Sequence, residues 1–338
     1  MNKKTENENK TKENIKESKD TNINKSNAIE NSPNNEEQEL LDIKNDYVFK
    51  RTFGYKGDEE VTKVLLRDIL GMKVNEINLD VNPITEKELM DDKLGIMDIA
   101  SVVNDNVQVD IEMQVVNKNN IEKRIMYYWN AYYQKSISKG DDYGELKRTI
   151  IILIADFEIK GIEQAKKYFT EWEIREKDYS ELILTDVLKI CIIELPKYIK
   201  YKVNNPNLNL WTEFLENPEV INMSEKDIEN EKDESIKTTK KAIKQAKDTL
   251  EQISKDKHEQ ELARLRKKYI MDQNAIQEYG YCQGVEDGKR DGIEIGKNDG
   301  IQFEKIETAK KMLAKKMPID VIIEITGLSK EEIENIKN

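Results

Sequence analysis

One histidine in 338 residues leaves little room for imidazole chemistry. That residue, His258, stands in a Lys- and Glu-rich stretch with no second histidine to join it. A zinc centre and a Ser-His-Asp triad are both argued against. Cysteine is almost as scarce. Cys191 and Cys282 are far apart and no metal-ligand spacing surrounds either, so two reduced thiols are expected rather than a disulfide framework. Long apolar runs are missing. The longest, Ile150 to Ala155, is far too short to span a bilayer. Met1 to Asn35 is polar and carries no apolar stretch of the kind a secretory signal needs. The expectation is a soluble, cytoplasmic protein with no membrane partner. Positive charge is lacking too, with a net charge of −12. A protein that coats long nucleic acid is usually basic, whereas a site built of carboxylates is acidic until metal fills it.

What is present is unevenly spread. Hydrophobic residues make up 37% and charged residues 36%, so part of the chain should be solvated helix or tail. Residues 1–38 hold too little apolar surface to offset ordering entropy and are expected to be disordered. The apolar residues gather between Leu40 and Ile221. Asp46 to Phe53 reads as a short helix with Tyr47, Phe49 and Phe53 inward. Asp58 to Leu70 reads as a second, with Val61, Val64, Leu65, Ile69 and Leu70 at helical spacing. Three strand-like runs follow: Glu76 to Val81, Lys93 to Val103, and Val107 to Val116 after a turn at Asn104 to Asn106. Asn120 to Lys139 is an aromatic-rich helix whose Tyr127, Tyr128, Trp129 and Tyr132 are expected to pack the core. Thr149 to Asp156 suits a strand buried on both faces. Val187 to Leu195 is another strand, and Asn207 to Leu215 a short helix. The order predicts an α/β layer architecture with a mixed sheet.

The third strand-like run carries Val107, Val109, Ile111 and Met113 on one face, and Gln108, Asp110, Glu112 and Gln114 on the other. If it pairs with the second run, Asp98 comes close to Glu112. Two such carboxylates repel unless a proton or cation lies between them. A hard divalent cation suits carboxylate and amide oxygens and can drive phosphodiester hydrolysis. Asp46 can add a third carboxylate, or serve as a helix N-cap. The competing reading of the pair is a solvated polar face on an edge hairpin.

Three blocks weigh on that choice. Asn45-Asp46-Tyr47-Val48-Phe49-Lys50, Gly95-Ile96-Met97-Asp98-Ile99 and Asp110-Ile111-Glu112-Met113-Gln114 resemble, in order and spacing, the Rpn family of recombination-promoting nucleases, transposases of the PD-(D/E)XK type. The Arg124-to-Tyr133 helix and Glu194-Leu195-Pro196-Lys197 agree with the resemblance, which covers about Leu40 to Leu215. It implies a restriction-endonuclease-like core with a mixed central sheet flanked by helices, and a C-terminal helical extension. It further implies a metal-dependent DNA endonuclease using Mg²⁺ or Mn²⁺. Asp98 and Glu112 would be metal ligands, Asp46 the acidic residue of the first helix, and Gln114 would stand where related nucleases often have lysine. Lys123 and Arg124 would contact DNA phosphates, or form ordinary solvated charge. The alternative function is a catalytically weak member of the fold that acts as an oligomeric interaction module.

The domain limits expected are a nuclease-like domain over 39–221, a charged helical region over 222–278, a glycine-repeat segment over 279–302 and a small helical unit over 303–338. On that division a cut after Met223 should spare the metal site. Glycine recurs at every fourth position from Gly280 to Gly300, which suggests either an oligomerising or hinge helix or a flexible linker. A homo-oligomer through this region is expected. Ile319 to Ile325 and Ser329 to Ile336 are similar to the paired helices of a helix-turn-helix. Glu331, Glu332 and Glu334 make the second helix acidic, which favours a packing or dimerisation unit over one that reads DNA.

Overall fold

In a computed structural model of the chain, the described residues are 39–55, 57, 59–80, 98–117, 120–221 and 223–337. The expectations for residues 1–38, and for Val81 and Lys93 to Met97, lie outside them.

The centre is a mixed sheet, with six strands among the described residues: β1 (Ile77–Asp80), β2 (Ile99–Val103), β3 (Val107–Gln114), β4 (Arg148–Ala155), β5 (Phe169–Arg175) and β6 (Ile183–Glu194). Their order is β1-β2-β3-β4-β6-β5. The β3–β4 and β4–β6 pairs are parallel and the others antiparallel. The β2–β3 hairpin turns through Asn104 and Asp105, whose φ angles are 48° and 63°. Asn and Asp tolerate that left-handed conformation better than other non-glycine residues. The Asn104 side chain also accepts from the backbone N–H groups of Asn75 and Glu76, tying the turn to the entry of β1.

β4 explains the layering. Ile150, Ile152 and Ile154 point into the main core. Ile151, Leu153 and Ala155 point into a second cluster beneath α3 (Ile121–Gln134). The main core is covered by α1 (Asp46–Phe53), α2 (Glu59–Leu70), α4 (Pro206–Glu216) and α6 (Glu234–Lys255). α1 starts where Asn45 accepts from the N–H groups of Tyr47 and Val48, satisfying donors that a helix N-terminus leaves open.

Several boundaries differ from the expectations. Asp98 lies just ahead of β2, not at the middle of a strand. α3 ends at Gln134 rather than Lys139. β5 has no counterpart in the sequence pattern; it is an edge strand with only one buried residue, Thr170, so its alternation is faint. The core also continues past Ile221. Ile243, Ala246 and Leu250 of α6 are fully buried in it, and their signal is diluted by the lysines between them. A chain cut after Met223 would expose that core, so the expected separation of the tail from the metal site at that point does not hold.

Beyond α5 (Glu225–Glu229) and α6, one helix, α7 (Lys257–Ala314), runs for 58 residues. Its start packs on α1 through Leu262 and Ala263. Its end joins α8 (Ile319–Thr326) and α9 (Lys330–Lys337) around Ala309, Met312, Ile322, Leu328 and Ile333. Gly327, at φ 65°, makes the left-handed cap between α8 and α9. Among the described residues no helix is long and apolar enough to cross a membrane.

Candidate active site

The register Ile99↔Ile111 and Ala100↔Asp110 brings Asp98 beside Glu112. The Asp98 backbone N–H faces Glu112 Oε1 at 3.4 Å. The Met113 N–H donates to Asp98 Oδ2 at 2.8 Å. Asp110 lies two positions before Glu112 on the same strand face. Sequence reasoning placed Asp110 on this face but gave it no role; the same alternation that singled out Glu112 was the available signal.

This face is not solvated. β3 lies between β2 and β4, not at an edge. Gln108, Asp110 and Glu112 are 5%, 0% and 4% exposed. α3 covers the face, with Tyr132 buried and its hydroxyl donating to the Ser101 carbonyl. Neither carboxylate oxygen of Asp110 has a hydrogen-bond partner among the described residues. An unpaired buried carboxylate is costly, so the edge-hairpin reading of the sequence is overturned.

The electrostatics follow from that burial. Desolvation pushes the Asp98 carboxyl well above its usual range, and the charges of Glu112 and Asp46 push it the same way. Burial likewise raises Glu112, with Asp110 adding repulsion and Arg124 opposing it. Asp110 is raised to about 8 by burial and by the charge of Asp98. Burial and the crowding of like charges thus shift all three neighbouring acids toward their protonated forms.

The other candidates divide. Gln114 closes β3, and its Nε2 reaches Glu112 Oε2 at a long 3.4 Å. Asp46 is not the helix cap, since Asn45 takes that place. The Asp46 carboxylate accepts from the Tyr47 N–H at 2.8 Å and is gripped by Arg266 of α7, whose Nε and Nη2 stand 2.9 and 2.5 Å from its Oδ2. Arg124 lies over the Tyr128 ring and donates to its hydroxyl at 3.0 Å. Lys123 is exposed. Tyr132 packs inward as expected, but Tyr127 is 68% exposed, and Trp129 is partly buried, stacked on Tyr133.

The donor set fits a hard divalent cation. It is all oxygen, with the Asp98 and Glu112 carboxyls on neighbouring strand positions and the buried carboxyl of Asp110 on the same face. Among the described residues no three His, Cys, Asp or Glu side chains form a complete cage. A two-carboxylate site leaves the remaining positions of a hard divalent cation to water.

Residues 43–280 match the family described as PD-(D/E)XK nuclease family transposase. Residues 302–338 match the Rpn/YhgA-like nuclease family, C-terminal HTH domain. The helix-turn-helix alternative is therefore the one the match supports for α8 and α9, against the packing unit that their acidity suggested. One of those acids acts locally, since Glu332 accepts from the Ser329 N–H and hydroxyl at the start of α9. No curated protein and no solved structure matches the chain.

Proposed function

The chain belongs to the PD-(D/E)XK nuclease family of transposases, and from there we propose that it is a divalent-metal-dependent DNA endonuclease acting in recombination or transposon-like mobility. The observation that carries this reading is Asp98 held beside the buried Glu112, with the fully buried Asp110 two positions before it on the same strand face. Nucleases of this kind generally use divalent metals. We assign Mg²⁺ or Mn²⁺ to Asp98 and Glu112, with Asp46 as a third carboxylate when Arg266 releases it. When bound, the cation polarises a phosphoryl oxygen and makes water a better nucleophile. The protein groups have separate roles. Met113 N–H fixes one oxygen of Asp98 and leaves the other for the cation. The Gln114 amide orients a water or a phosphate oxygen. Arg124 and Lys123 bind the DNA backbone from α3, and α8 and α9 contribute the second DNA contact.

Plasmid incubated with purified protein, with and without Mg²⁺ or Mn²⁺, is the direct test. Nicked or linear product only with metal supports the endonuclease. Intact plasmid in both metals favours the second reading, an oligomeric interaction module, for which the uncharged Gln114 speaks. Within the first reading, Gln114→Ala should slow cleavage by about 10- to 100-fold, the usual effect of losing a group that orients metal-site ligands or water. Gln114→Lys should retain or raise activity. A Gln114→Ala protein that cuts like wild type removes the residue from the site.

We also assign homo-oligomerisation to α7. From Gly280 to Gly300 the helix is exposed, and a Cβ added at any of its glycines would meet nothing within 4 Å. Each glycine weakens a helix by about 1 kcal/mol relative to alanine, and among the described residues no contact at these glycines offsets it. A second copy of α7 can pack closely along that stripe. On this division 39–268 is the nuclease body and 302–338 the helix-turn-helix unit. A chain ending at Lys268 should fold, bind divalent metal and be monomeric. Leucine at Gly288, Gly292 and Gly296 should raise helicity but lower the oligomeric state. Light scattering decides it: full-length protein that is already monomeric, or a leucine variant that associates as wild type does, returns the segment to a spacer.

A further inference from the structure

Lys50 belongs to the first motif block and lies outside the roles assigned above. It is 7% exposed, a rare degree of burial for a lysine without a partner. Among the described residues its ammonium has no hydrogen bond and no ion pair, whereas its neighbour Arg51 is bound by Glu259. Its stem has a definite course. A Cβ at Gly54 would stand 2.8 Å from the Lys50 carbonyl oxygen, 3.4 Å from Lys50 Cγ and 3.5 Å from Ile99 Cγ1. The absence of a side chain at Gly54 therefore leaves room where the Lys50 stem and Ile99 meet. Ile99 is the residue directly after Asp98. The positive charge of Lys50 acts on both Asp98 and Asp110.

The site needs such a charge. Asp98, Asp110 and Glu112 are acids, and the substrate is an anionic phosphodiester. Gln114, at the end of β3, carries no charge to balance it. We propose that Lys50, reaching the carboxylates from α1, is a catalytic residue that supplies at the scissile phosphate the cationic donor that position 114 lacks. An ammonium offers three donors and no acceptor, so it binds a phosphate oxygen and stabilises the charge that grows there as the bond to the attacking water forms. α1 is a rigid mount for it, with Phe49 and Phe53 fully buried on either side in sequence. This inference rests on Asp98 and Glu112 being the cleavage site.

Lys50→Met keeps the stem and removes the charge. Four measurements on the full chain test it: single-turnover cleavage at saturating Mg²⁺ and DNA, Ca²⁺ binding by calorimetry, thermal melting, and rescue by Gln114→Lys. The expected result is a rate loss of about 10²- to 10³-fold, the scale of losing one donor at a developing charge. Melting should be unchanged. Ca²⁺ should bind at least as tightly as in wild type, because a repelling cation has gone. Lys50→Met combined with Gln114→Lys should recover at least about tenfold of the rate, since the charge returns from the other side of the site. Lys50→Arg should cleave faster than Lys50→Met. Should Lys50→Met not fold, Lys50→Gln is read by the same measurements. Cleavage within about threefold of wild type, well short of the loss of one such donor, overturns the proposal. So does a rate loss accompanied by lost Ca²⁺ binding, which makes Lys50 a support for the carboxylates, and so does failure of the second-site lysine to rescue. The underlying reading fails separately, through Asp98→Asn: if that variant still cuts, the site is elsewhere, whatever Lys50 does.

Discussion

Asp98→Asn and Glu112→Gln each reduce Mg²⁺-dependent DNA cleavage by about 10³-fold or more, while the metal-free proteins melt no lower than wild type. The first half follows from the role assigned to the pair. A cation held over a phosphoryl oxygen contributes several kcal/mol of charge stabilisation, and each 1.36 kcal/mol is tenfold in rate. Removing either charge leaves a site with too little negative potential to hold the ion. The second half follows from burial. Both carboxyls are pushed upward by desolvation and by each other's neighbourhood, so a neutral amide of the same shape relieves repulsion without opening a cavity. An asparagine oxygen can still accept from the Met113 N–H as Asp98 does. Loss of activity with an intact melting curve is therefore the diagnostic combination. A variant that cuts normally removes its residue from the site, and one that simply unfolds shows that the carboxyl held the fold together.

Metal-free protein loses stability as the pH rises from about 4 to about 8, the latter being where the Asp110 carboxyl is held. An unfolded aspartate has a pKa of about 3.9. Across that window the native chain keeps a proton that the unfolded chain has released. Stability must then fall with rising pH, and the loss levels off above the folded value. Asp98 and Glu112 are shifted in the same direction and add to it. The whole effect is on the order of several kcal/mol, large against a typical domain stability of about 5–15 kcal/mol. Thermal melting in EDTA at pH 5.5, 7 and 8.5 measures it. Asp110→Asn should flatten the dependence, and the difference between the two proteins isolates this group from the many surface carboxylates. Mg²⁺ added at pH 8.5 should restore much of the stability, because a cation replaces the protons as the partner of the buried charge and binds only the native state. A wild-type curve parallel to that of Asp110→Asn would mean that Asp110 is ionised and paired in solution.

How far the site was legible depends on the kind of signal. The alternation in β3 identified the polar face and placed Glu112 and Gln114 on it, and the Asn104–Asn106 turn implied the pairing that brings Asp98 to Glu112. Period-two alternation reports which side chains share a face. It does not report what covers that face, so a solvated hairpin edge and a buried acidic site read alike. Asp110 was visible in position and not in consequence, for its significance is the absence of a partner on either oxygen among the described residues. The Asp46–Arg266 pair joins residues 220 apart in sequence, and no local pattern announces such a contact. Tyr127 went the other way: an aromatic in a helix suggested core packing, yet only Ile121, Ile125 and Tyr132 of α3 are buried.

By itself the amino-acid sequence argued against zinc and triad chemistry and, through its three motif blocks, pointed to the nuclease family that the match bears out. One histidine and two distant cysteines left oxygen donors as the metal ligands on offer, and the polar face of one strand carried them, but that face alone did not separate a cation site from a solvated edge. The sequence also determined the helices and strands whose periodicity is strong, because those depend on interactions between near neighbours along the chain. Only the tertiary structure decided that α3 seals the acidic face, that α6 belongs to the core, and that the positive charge of Lys50 in α1 acts on Asp98 and Asp110. These outcomes are set by burial, and burial depends on which distant surfaces meet. The same removal from water that raises the three carboxyls is what would make a cation bound between them effective, and it arises only when the sheet and its covering helices close together.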